Sequence, residues 1–157
     1  MKYLLLWLAL SLVFLHSPAG AQTVGPAVVQ PDASLMIDGR RFVLADIEII
    51  PTGRRCDARR SQGCDTLAAV ALRGKIEHVV SCQRRIDLPN PEAATCLHIT
   101  PEPGIAEDLA AYLIENGWAT AVTTARPLYH TLELIAHSQG RGAWGTTIDQ
   151  LINPQPR

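Results

Sequence analysis

Four arginines, Arg54, Arg55, Arg59 and Arg60, crowd one polar stretch around Cys56 and Cys64. Guanidinium forks match phosphate, sulfate and the carboxylates of acidic polysaccharides, so this stretch is a candidate anion contact. The competing reading is a solvated loop in which Asp57 and Asp65 offset the charge. His130, Glu133 and His137 lie at offsets of three and four. On a helix they would share one face, where two imidazoles and a carboxylate suit zinc or copper, or are simply a solvated row. Asp46 and Glu48, two apart, would point the same way from a strand. They form either a glycosidase-like carboxylate pair or one polar strand face. His78 and His98 stand alone on predicted strands and read as structural, while Ser34, Ser61 and Ser81 lack any nucleophile-elbow context. Arg40, Arg41, Arg84 and Arg85 are further cations whose faces the sequence does not place.

These groups need a scaffold, and the chain punctuates itself clearly. Lys2, an apolar run from Tyr3 to Leu15 and Ser17-Pro-Ala-Gly-Ala21 read as a secretory signal peptide over residues 1–21, cleaved before Gln22. The rival reading is an uncleaved anchor, although the run is short for a bilayer. A secreted or periplasmic location is expected, with no membrane span after cleavage. The chain carries 14 basic and 15 acidic residues, and cleavage would remove only Lys2 among them, so broad charge-driven binding of nucleic acid is not expected. Four cysteines outside the cytoplasm point to disulfides rather than zinc, for which paired C-x-x-C spacing is missing. Of the three possible pairings, Cys56–Cys64 and Cys82–Cys96 are favoured because each closes one local loop.

Gln22 to Pro26 looks linker-like, and Ala27–Gln30, Ser34–Asp38 and Arg40–Ile50 read as short strands, with Asp38-Gly39 as a hairpin turn. Thr66–Arg73 predicts a short helix with Leu67, Val70 and Ala71 on one face, stopped at Gly74. Lys75–Cys82 and Ala93–Thr100 read as strands around a loop containing Pro89-Asn90-Pro91. Ile105, Leu109, Tyr112 and Leu113, then Leu128, Leu132, Ile135 and Ala136, fall at helical spacing. The order implies an α+β domain, and a five-stranded OB-type barrel with an inserted helix and two C-terminal helices accommodates it. The expected organisation is a leader to 21, a linker and first strand over 22–33, the domain over 34–145 and a tail over 146–157.

Phe42-Val-Leu-Ala-Asp-Ile-Glu-Ile-Ile-Pro51, Asp87-Leu-Pro-Asn-Pro-Glu-Ala-Ala-Thr-Cys96, the Asp108–Ala119 stretch and Gly142-Ala-Trp144 resemble, in order and spacing, the staphylococcal-nuclease (thermonuclease) family. Secreted relatives in that family also carry cysteines at similar places. Its active members use V-R-L-x-x-I-D-x-P-E and D-x-Y-G-R-x-V-A-x-C, together with D-G-D-T ahead of them, to hold one calcium ion, an attacking water and a phosphate. Carried onto this chain, the second aspartate of D-G-D-T becomes Ala33, the first arginine Val43, the glutamate Pro51 and the second arginine Pro91. Only Glu48 keeps a charge, in place of aspartate. The resemblance therefore implies the fold without the nuclease chemistry, no catalytic residues, and no cofactor. Calcium enters only under the alternative of a divergent nuclease or phosphodiesterase built on Glu48. The expected role is a monomeric binding module for an anionic ligand or an envelope protein, with nucleic acid a weaker candidate. A third reading, an envelope or exopolysaccharide-related accessory, rests on fold analogy alone.

Overall fold

A computed structural model of the protein describes residues 22–50, 66–102 and 104–145. The domain is mixed α+β, with a seven-stranded sheet, a separate two-stranded sheet and three helices among these residues. The strands are β1 (Gln22–Pro26), β2 (Val28–Val29), β3 (Leu35–Ile37), β4 (Arg40–Leu44), β5 (Ile47–Ile49), β6 (Val79–Arg84), β7 (Ala93–Ile99), β8 (Ala106–Asp108) and β9 (Ala119–Ala121). The helices are α1 (Leu67–Lys75), α2 (Leu109–Glu115) and α3 (Pro127–Ser138), and a 3-10 turn covers Gly142–Trp144.

The main sheet runs β1-β6-β7-β4-β3-β2, with β8 also on β7. Its two ends, β1 and β2, are separated along the chain by Ala27 alone. Gln22–Pro26, linker-like in composition, is thus a strand: it pairs with β6 from Gln22↔Gln83 to Pro26↔Val79, and Gln22 Nε2 donates to Ser81 Oγ at 2.6 Å. The Asp38-Gly39 hairpin forms as expected, with φ of 48° and 72°, the left-handed pair that a two-residue turn of matching twist requires. Arg40–Ile50 is not one strand. It breaks at Asp46, where φ is 65°, and β5 leaves the main sheet to pair with β9.

Alternation decides what enters the core. Leu35 and Ile37 on β3, Phe42 and Leu44 on β4, Val80 and Cys82 on β6, and Ala94 and Cys96 on β7 are all buried on one side. α2 supplies Leu109, Leu113 and Ile114, and α3 supplies Tyr129. Each large side chain buried in this way contributes about 1.5–3 kcal/mol. α1 differs from its sequence reading: Ala68, Ala69 and Leu72 are its buried residues, while Leu67 and Val70 are exposed. Two alanines let the helix lie close to the sheet, which the larger Leu67 and Val70 would prevent. Thr66 caps α1 by accepting from Ala69 N, and the helix continues through Gly74 to Lys75.

Asp108 joins the helices. Its Oδ1 accepts from the amides of Ala110 and Ala111, and its Oδ2 accepts from the Tyr129 hydroxyl at 2.8 Å and Arg126 Nη2 at 2.8 Å. Burial and the neighbouring carboxylate push the Tyr129 phenol well above its ordinary range. At the C-terminal end, Gly117 and Gly142 let two backbone segments touch: both have positive φ, and a Cβ on either would strike main-chain atoms of the other segment. Ala143 N donates to Gly117 O across this crossing.

The expected Cys82–Cys96 disulfide is present, joining directly opposed residues of β6 and β7 that are both buried. Cys56–Cys64 lies outside the described residues. Replacing Cys82 and Cys96 together by Ala and Val, which removes the bridge but keeps most of the apolar volume, is expected to lower unfolding stability by about 3 kcal/mol. Urea titration would check this. Gly142→Ala should cost more than about 1 kcal/mol in the same assay, because both its φ and its surroundings exclude a Cβ.

Candidate functional site

The positions matched to the nuclease motifs converge in part, and an ion-pair network sits among them. The turn between β2 and β3 is closed by Ala33 N donating to Gln30 O, and it places Ala33 in the left-handed region at φ 67°, buried in the core. Asp32 at its tip accepts from Ser34 N at 3.1 Å and Ser34 Oγ at 2.7 Å. On β4, Phe42 and Leu44 point into the core, so the alternation turns Arg41 and Val43 the other way. Arg41 donates through Nε to Ser34 Oγ, through Nη1 to Glu92 at 2.9 Å, and through Nη2 to Asp32. Val43 N donates to Glu92 O, which draws the approach to β7 against β4.

The guanidinium at this rim is therefore engaged by two carboxylates and a hydroxyl. Burial raises the Asp32 carboxyl, but Ser34 and Arg41 outweigh it and the group lies below its ordinary value. Val43, half-buried, offers no charge, and Pro91 is exposed, its carbonyl accepting from Arg84. Pro51 lies outside the described residues, as do Arg54, Arg55, Arg59 and Arg60.

The carboxylate pair Asp46 and Glu48 is split by structure. Asp46 is taken by Arg85 Nη1 at 2.5 Å, and Arg85 also grips Asp87 through Nε and Nη2 at 2.8 and 2.7 Å. The Asp46 side chain is only 11% exposed. Arg85 is raised by Asp87 first and Asp46 second, and in return Arg85 holds Asp87 down at about 2. This clamp holds the left-handed break that sends β5 out of the main sheet. Glu48, on β5, is exposed, faces Thr120 across the β5–β9 ladder and has no side-chain ion pair among the described residues.

The helical row on α3 serves other ends. Glu133 accepts from Ala121 N at 2.9 Å and so covers a backbone donor of β9. His137 lies against the Trp144 ring with centroids 4.9 Å apart, and His130 is half-buried. Among the described residues no three His, Cys, Asp or Glu are gathered to hold a metal ion. The Arg41 and Arg85 networks were not legible as such: Arg85-x-Asp87 is a local signal, but Asp46 and Glu92 reach their partners only through sheet pairing.

No protein-family model matches the chain, and no curated protein matches it.

Two expectations follow. Arg85→Gln strands Asp46 and should cost about 1.5–3 kcal/mol, whereas Asp87→Asn, at an exposed pair, should cost distinctly less. Chemical unfolding of both variants checks the difference. Because Asp32 is depressed in the folded state, its contribution is complete above its ordinary value of 3.8 and is lost as pH falls through the lower folded value. Stability measured from pH 5 downward should therefore fall less steeply in Arg41→Gln than in the parent, and parallel curves would show that the pair contributes nothing.

Proposed function

We propose that residues 34–145, with the strand segments before them, form a staphylococcal-nuclease-like OB-type domain that has lost phosphodiester cleavage and works by binding. The barrel reading is supported by strand pairing. β1 and β2 sit at opposite ends of the sheet path yet are consecutive in the chain, so one bent segment pairs with β6 through its first half and with β3 through its second. The antiparallel β3–β4 hairpin, the parallel β4–β7 pair and α1 between β5 and β6 fit the same plan. A secreted or periplasmic location is part of this proposal and is supported by the leader-like composition of residues 1–21.

The observation that carries the loss of cleavage is the occupancy of Arg41. In-line displacement at a phosphodiester builds negative charge that free cations must meet. At this rim Val43 and Pro91 stand at the arginine positions of the resemblance, and the arginine beside them is already bound to Asp32 and Glu92. Losing one transition-state donor typically costs about a hundredfold to a thousandfold in rate. The alternative of a divergent calcium-dependent nuclease draws its support from Glu48, whose carboxylate is exposed and has no ion pair among the described residues.

Purified oxidised protein is expected to leave single- and double-stranded DNA and RNA intact in calcium. Calcium-dependent cleavage that disappears in Glu48→Gln would overturn the proposal in favour of the divergent nuclease.

A further inference from the structure

The chain holds three asparagines, Asn90, Asn116 and Asn153, and two of them are followed by proline, which has no backbone N–H. Asn116 alone precedes a residue whose nitrogen can attack a side-chain amide. That residue is Gly117, which puts no side chain in the way. The step is an intramolecular acyl transfer, so its rate depends on reaching an attack geometry. Gly117 N gives its proton to solvent and bonds to Asn116 Cγ, the Cγ–Nδ2 bond breaks, and ammonia leaves with a proton. Water then opens the cyclic imide. Attack at Cγ gives aspartate, and attack at the main-chain carbonyl gives isoaspartate, with an extra methylene in the backbone.

The fold holds each participant off this path. Asn116 ends α2 with ψ 4°, so Gly117 N nearly eclipses Asn116 N and the Asn116 Cβ is turned out of the plane the ring needs. Asn116 Nδ2 donates to Tyr112 O at 2.8 Å, which holds the amide back along the helix. Gly117 N donates to Ile114 O and Trp118 N to Leu113 O, both at 2.9 Å, a Schellman closure in which the attacking nitrogen is already engaged. The crossing with the 3-10 turn adds a second layer. Gly117 is buried, its carbonyl accepts from Ala143 N, and a Cβ on Gly142 would lie 2.3 Å from Asn116 O. Arg141 Nη1 reaches across to Glu115 O and Oε1, each at 3.1 Å. Asn116 can rotate only when the crossing parts.

We propose that Asn116 is a deamidation site gated by the crossing of Asn116-Gly117 with Arg141-Gly142, and that its conversion is a one-way latch. The rate follows the fraction of time the crossing is open. The product does not close again: a carboxylate cannot donate to Tyr112 O, and it stands beside Glu115. An isoaspartate also lengthens the main chain where the Gly117 and Gly142 contacts leave no room. The site shares no residue with the Arg41 network, so its fate is independent of the nuclease-like reading.

The oxidised protein and a peptide of residues 114–119 are incubated in the same mildly alkaline buffer, and the mass of the Asn116 fragment is followed. Conversion in the protein is expected to be slower than in the peptide by about tenfold or more. Arg141→Gln, which releases Glu115, and Gly142→Ala, which forces the crossing apart, should each speed it by about threefold or more. Arg141→Gln carries the test where Gly142→Ala does not fold. The Cys82→Ala/Cys96→Val variant, destabilised on other elements, should convert at the parent's rate. A peptide-like rate in the parent, a rate unmoved at the crossing, or equal acceleration in the variant without the bridge would overturn the gate. Converted chains, separated by their added charge, should unfold at lower urea than the parent, and equal midpoints would overturn the latch.

Discussion

The register between β6 and β7 is the constraint on which the rest of this structure depends. Cys82 and Cys96 face each other across it and are covalently joined, so a one-residue slip, which would turn every side chain of β7 to the other face, is closed off. β7 is also the strand with the most partners, antiparallel to β6 and β8 and parallel to β4. With Cys96 fixed inward, Ala94 and His98 must face inward too, two residues away on either side. His98 is thereby carried into a buried position that its chemistry alone would not favour, and the β7–β8 register sets Glu107 opposite it. At the other end, the parallel pairing of Val43 with Ala93 brings Glu92 within reach of Arg41. Both polar clusters thus follow from one strand alignment.

The Arg41 cluster matters for what it occupies more than for stability. Arg41 is 42% exposed, and ion pairs in such settings contribute about 0–1 kcal/mol. Its consequence is chemical: the charge of a guanidinium that already meets Asp32, Ser34 and Glu92 is offset by two carboxylates before any phosphate approaches. The Asp46–Arg85 pair is different in kind, since Asp46 is nearly buried and sits at a left-handed backbone position. There the charge pair helps hold a bend, and that bend is what frees β5 to pair with β9.

Local signals in the sequence were legible where short-range chemistry decides the outcome. Asp38-Gly39 specifies its turn through two positive φ angles, opposed cysteines on neighbouring strands specify their bridge, and the apolar spacing of Leu109 to Leu113 and Leu128 to Ala136 specifies helices. What could not be read depends on distant partners. Gln22–Pro26 has a linker's composition and becomes a strand only because β6, some sixty residues on, offers its edge. Arg40–Ile50 has strand composition throughout, yet Asp46 breaks it under the hold of Arg85. Glu133 and His137 do have helical spacing, but the spacing does not reveal that Glu133 turns to Ala121 N and His137 to Trp144. His98 reads from the sequence as a lone structural residue on a strand, and its partner Glu107 comes only from the β7–β8 register.

Near-neutral total charge says little about local fields in a domain built this way. At the β4 rim, positive and negative groups are matched to one another. At the α1 end, Lys75 pairs with Glu107, leaving Glu77 and Glu102 without an ion pair among the described residues and beside the negative end of a helix. A carboxylate at a helix C-terminus is unfavourable by about 0.3–1 kcal/mol, and a second one nearby adds repulsion. Only a cation reverses the sign of both terms.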